Sequence, residues 1–199
     1  KLTYALTLSA ACEGLYQEKG SKFLAFAFPC RQEDEFGKRL ADLRQAHPKA
    51  RHHCYAWRLG ENGQQYRVND DGEPSGTAGL PIYHQLQSFE VSDCGLIVVR
   101  YFGGTLLGVS GLIRAYKQAA QDALKQGRFL PIVPKAEFVA VAEYAQVHRL
   151  MQAVQQYQLD IISQEMGISC RFHLRGERDN LEAIRAQLHS FNISTQDYD

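Results

Sequence analysis

No run of about 18 consecutive apolar residues occurs anywhere in this 199-residue chain, so a hydrophobic membrane-spanning helix is excluded. The first residues lack the basic, apolar and small-residue succession of a secretion signal, and a cytoplasmic location is expected. Cysteine is sparse: Cys12, Cys30, Cys54, Cys94 and Cys170 are odd in number and never in C-x-x-C spacing. That argues against a disulfide or zinc framework and for reduced, buried thiols. Net charge is absent too, with 22 basic residues against 22 acidic ones. Long repeats and low-complexity tracts are missing. So are a P-loop, a G-x-G-x-x-G fingerprint and a G-x-S-x-G nucleophile turn, which removes the usual warrants for nucleoside-triphosphate, dinucleotide and serine-hydrolase chemistry.

What is present is an ordinary globular composition, 45% hydrophobic and 11% aromatic. The charge is unevenly spread. Residues 1–135 carry 17 basic and 13 acidic side chains, residues 136–199 carry 5 and 9. Between Gly95 and Lys135, Arg100, Arg114, Lys117, Lys125, Arg128 and Lys135 face one acid, Asp122. Such a stretch attracts phosphates even in a neutral protein.

Periodicity and turn residues predict an α+β fold. Strands are expected over Leu2–Cys12, Ser21–Cys30, His52–Leu59, Gln64–Val68 and Cys94–Tyr101. Helices are expected over Glu33–Ala46, over a short segment capped by Thr77, and over Ser110–Gln126 with Gly127 as a left-handed cap. Gly14 and Gly20 punctuate the ground between the first two strands. Residues 131–135, with Pro131 and Pro134, read as a linker between a domain over 1–130 and a second over 136–199. The second runs strand 137–144, helix 147–157, strands 160–165 and 168–175, helix 179–189 and strand 192–197. That β-α-β-β-α-β order is the ferredoxin-like signature.

The segment from Val98 to Tyr116 passes from an apolar strand through Arg100, Tyr101 and Phe102, then Gly103, Gly104, Gly108 and Gly111, into a helix. A helix start leaves about four backbone N–H groups unpaired and carries roughly half a positive charge. Glycines allow close approach to it, so Gly103, Gly104, Gly108, Ser110 and Gly111, with Arg100, Arg114 and Lys117, are expected to form an anion site. A second loop, Asp70 to Gly79, holds Asp70, Asp71 and Glu73, with Gly76, Thr77 and Gly79 as a further backbone nest for phosphate. Its carboxylates suit a hard cation in chemistry but lack calcium-loop spacing, so no metal is assigned. His52 and Cys54 lie on one side of a strand and His53 on the other, which prevents the three from sharing an ion. His52, Asp70, Asp71 and Glu73 stand as acid–base candidates, and no cofactor is called for.

Three ordered blocks closely resemble the YigZ/IMPACT family: Lys49 to Ala56, Asp70 to Pro81, and Arg100 to Gly104 continuing through Gly108, Gly111 and Arg114-Ala115-Tyr116. The resemblance implies an amino-terminal α+β domain akin to a ribosomal-protein and elongation-factor fold. It implies a carboxy-terminal domain similar to the last domain of elongation factor G. Eukaryotic members restrain an initiation-factor kinase, through a separate amino-terminal domain with no counterpart in these residues. The role implied here is translation-linked and non-catalytic, with RNA or the ribosome as partner. The family establishes no catalytic residues to carry over. The rival reading is an enzyme acting on a phosphorylated small molecule, with a carboxylate as metal ligand or base and His52 as proton carrier. A regulatory protein partner, using the acidic carboxy-terminal domain, is the third class.

Overall fold

A computed structural model describes residues 4–198 and divides the chain into two compact units, one ending at Ile132 and the other beginning at Val133. The first unit holds a five-stranded antiparallel sheet. Its strands are β2 (Cys12–Glu18), β3 (Ser21–Pro29), β4 (His52–Leu59), β5 (Gln65–Asn69) and β6 (Cys94–Tyr101), in the order β2-β3-β6-β4-β5. Three helices accompany it: α1 (Glu33–Ala46), α2 (Gly79–Ser88) and α3 (Gly108–Lys125). A short ribbon pairs β1 (Leu6–Leu8) with β7 (Phe129–Pro131).

The central strand β6 has apolar side chains on both faces, and both are buried. On one face Val98 and Leu96 pack with Phe23, Cys54, Ile82, Leu86 and the Leu112–Tyr116–Ala119–Ala123 stripe of α3. On the other, Ile97 and Val99 pack with Phe36 and Leu43 of α1 and with Trp57. Burial on both sides explains why this strand reads as an unbroken apolar run.

The second unit runs β8 (Lys135–Glu143), α4 (Val147–Gln156), β9 (Asp160–Glu165), β10 (Ser169–Glu177), α5 (Leu181–Ser190) and β11 (Ser194–Asp197). Its antiparallel sheet has the order β11-β8-β10-β9, the ferredoxin-like arrangement. Phe138, Ala140, Phe172 and Leu174 pack there against Leu150, Ile184 and Leu188.

Five local expectations need correction. The strand expected over Leu2–Cys12 is only Leu6–Leu8, and Leu2 and Thr3 lie outside the described residues. A full strand, β2, follows it instead. Gly14 sits inside β2 because α3 crosses there: a Cβ would lie 2.3 Å from the Ala123 nitrogen. Gly127 is not left-handed; α3 ends at Lys125, Gln126 follows with ordinary helical dihedrals, and Gly127 leaves room for Leu8. Pro131 belongs to a strand, β7, whose edge position spares it the missing N–H. Thr77 does not cap α2, since its hydroxyl turns back to the Pro74 carbonyl at 2.5 Å.

Candidate functional site

Strand direction gathers the three sequence blocks at one end of the first sheet. β2 and β6 finish there, while β3 and β4 begin. Register places Phe23, Arg100 and His52 side by side across β3, β6 and β4. The Asp70–Gly79 loop folds over this end, and α3 starts beyond the glycine turn.

Arg100 is turned inward. Only 5% exposed, it donates from Nη1 to Oε1 of Glu73 at 2.6 Å and from Nη2 to the Ser21 hydroxyl at 3.4 Å. Its guanidinium also lies over the Phe23 and Phe102 rings. Glu73 is equally buried and accepts the Tyr116 hydroxyl at 2.8 Å, with His52 Nε2 3.5 Å away. His52 Nδ1 donates to the Asp71 carbonyl at 2.7 Å. The expectation of a guanidinium open to phosphate at Arg100 is therefore corrected: a buried carboxylate neutralises it. Burial, with the Cys54 thiol and the Glu73 carboxylate beside it, pushes the Tyr116 phenol far above its ordinary value. Burial likewise raises the Cys54 thiol.

The second loop is closed by its own acid. The Asp70 carboxylate accepts the backbone N–H groups of Gly76 at 2.9 Å, Ala78 at 3.1 Å and Gly79 at 2.8 Å. Of the nest expected from Gly76, Thr77 and Gly79, the amides of Gly76 and Gly79 converge with that of Ala78 on an internal carboxylate, whereas the Thr77 N–H turns to the Pro74 carbonyl at 3.1 Å. Asp71 accepts the His53 N–H at 2.7 Å and faces Arg44. The three acid–base candidates Asp70, Asp71 and Glu73 are thus committed to holding loop and sheet together. Among the described residues no three of His, Cys, Asp or Glu are grouped to hold a metal ion.

The start of α3 is different. Gly103, Gly104, Gly108 and Ser110 are exposed, Gly111 is buried, and among the described residues no side chain caps the helix. The glycines divide the work. Gly103 packs, since a Cβ there would lie 2.1 Å from the Gly20 carbonyl carbon, and its N–H donates to Ser21 Oγ at 3.1 Å. Gly104 and Gly108 have φ of +88° and +73° and nothing within 4 Å of a built Cβ, so they shape a turn that faces open space. Exposed Arg114 is tied to Glu18 at 2.6 Å. Lys117 is exposed, about 13 Å along the helix from Gly108. Arg51, which belongs to the Lys49–Ala56 block but not to the expected anion site, has an exposed guanidinium 4.9 Å from the Phe102 ring centre at this end, and Ser21, which sequence reasoning missed, bridges Arg100 and Gly103.

Fold and site together define a two-unit α+β protein whose polar interior braces an uncapped, glycine-rich helix start. A family model described as the Impact N-terminal domain matches residues 19–124. An IMPACT family member from Haemophilus influenzae is 34% identical over 172 residues, 85% of this chain and 84% of its own. The IMPACT family member YigZ of Escherichia coli is 43% identical over 110 residues, 54% of each chain. A crystal structure described as that of a hypothetical protein matches with a TM-score of 0.78 and 28% identity, covering 100% of this chain and 99% of its own. The chain belongs to the IMPACT family.

Proposed function

We propose that this protein is a non-catalytic, translation-linked regulator that binds RNA, free or on the ribosome, through the start of α3. The observation that carries the reading is the contrast between two helix starts in one unit. Three amides at α2 are already taken by Asp70, whereas α3 opens to solvent without a side-chain cap. Unpaired amides and the helix dipole at α3 favour an anion, and Gly104 and Gly108 leave room for it. Exposed Arg51 adds positive charge at this end, while Arg114 is shared with Glu18 and Lys117 stands further along the helix. Contacts of this kind position a phosphate backbone without reading its sequence.

Fluorescence anisotropy with an RNA oligonucleotide, from about 50 to about 200 mM salt, tests the reading. Affinity should fall linearly on log–log axes, with a slope near −0.7 for each phosphate neutralised on a single strand. Arg51→Gln should flatten the slope by about that amount. Binding that ignores salt contradicts the proposal.

A further inference from the structure

The face of the first sheet turned toward α1 is only partly covered. The helix packs Phe36 and Leu43 against Ile97, Val99 and Trp57, leaving β2 and the start of β3 open. Leu15 is 48% exposed there. Register aligns Leu15 with Leu24, and Gln17 with Lys22 and Tyr101. These side chains and Gly20 line a groove of about 460 Å³. That volume lies within the range of about 300–1,000 Å³ typical of small-ligand sites. The Tyr101 ring is fixed by a 2.6 Å hydrogen bond between its hydroxyl and His47 Nδ1. The groove adjoins the glycine turn: a Cβ on Gly20 would lie 3.1 Å from the Gly103 carbonyl oxygen.

We infer that this groove takes an unpaired nucleobase of the RNA whose phosphates sit at the start of α3. The inference rests on the function proposed above and adds a substrate class to it, single-stranded over duplex RNA. The chemistry of the lining selects this occupant. Leu15, Leu24 and the Tyr101 ring offer an apolar floor for a flat heterocycle. The Gln17 amide carries both a donor and an acceptor for a base edge. Charge complementarity points the same way. Lys22 lines the groove and exposed Lys19 stands at the adjoining turn; of the two acids of β2, Glu18 is paired with Arg114 and Glu13 stands beyond Leu15, outside the lining. Stacking on such a platform tolerates any base, because every base has a π-face.

The test compares the full-length protein's affinity for a uridine oligonucleotide, an abasic ribose-phosphate polymer of equal length and charge, and duplex RNA. The uridine strand should bind about tenfold more tightly than the abasic polymer. Leu15→Asn, at an exposed position, should erase that preference while leaving abasic affinity and its salt slope intact. Independently of any variant, 5-iodouridine in the strand should crosslink to Tyr101. Equal wild-type affinity for uridine and abasic strands, or a crosslink confined to other residues, overturns the groove. Salt-dependent binding of the abasic polymer would still leave the phosphate reading standing. Absence of binding to all three probes overturns both. Displacement of the strand from the groove by an acidic peptide, with the uridine preference unchanged in Leu15→Asn, assigns the groove to protein and overturns the nucleobase.

Discussion

Glu73 is the residue on which the polar interior turns. Its Oε1 receives Arg100 and Tyr116, and the carboxylate balances the charge of a buried arginine. Removing one partner of a buried ion pair strands the other, at a cost of about 3–5 kcal/mol. Glu73→Ala should lower the stability of the first unit by that amount in urea unfolding. Glu73→Gln should cost less, because its amide oxygen still accepts both donors. A loss below about 1 kcal/mol in Glu73→Ala contradicts the assignment. His53 gives a pH signature. Burial holds its pKa below the ordinary 6.5, against the opposing pull of Asp71 and with support from Arg44 and His47. As pH falls below 6.5, the unfolded chain takes up a proton that the folded chain refuses. Stability should therefore be flat, for this residue, above pH 6.5 and decline as pH falls from 6.5 to the lowered native value. His53→Gln should remove that component of the slope.

At the scale of elements, the loop before α2 depends on one carboxylate. Asp70→Ala leaves three amides without their acceptor, and an unsatisfied buried donor costs about 1–3 kcal/mol. Amide hydrogen exchange at Gly76, Ala78 and Gly79 should accelerate in that variant, whereas unchanged protection contradicts the capping role. Elements are also where the sequence is most and least readable. The apolar run of β6, the stripe of α3 and the strand–helix order of the second unit carry their own periodicity, so they can be found without partners. β2 hides behind Gly14, which looks like a chain breaker until α3 is seen crossing it. The Arg100–Glu73 pair joins residues 27 positions apart, and nothing local in either segment announces it. The same holds for Asp70: an acid beside glycines reads as a ligand for a cation, while the fold uses it as the ligand of its own amides. The turn at Gly104 and Gly108 is legible from residue types alone, because glycine is the residue that adopts such positive φ freely.

At the scale of the whole molecule, charge and architecture divide together. The acidic residues 136–199 fall within the second unit, and the basic stretch up to Lys125 within the first. Each unit has its own sheet and its own core. A fragment over residues 133–199 is therefore expected to fold alone, a size at which single cores still suffice. It should melt cooperatively by circular dichroism, and a featureless melt contradicts the division. RNA affinity should stay with the first unit. The most direct measurement is the RNA affinity of Ser110→Glu, which sets a fixed carboxylate at the uncapped start of α3. An acid there favours the helix by about 0.3–1 kcal/mol, so the fold should be unharmed or slightly firmer. If the site takes phosphate, affinity falls at least about tenfold at unchanged stability; undiminished binding in the folded variant contradicts the account.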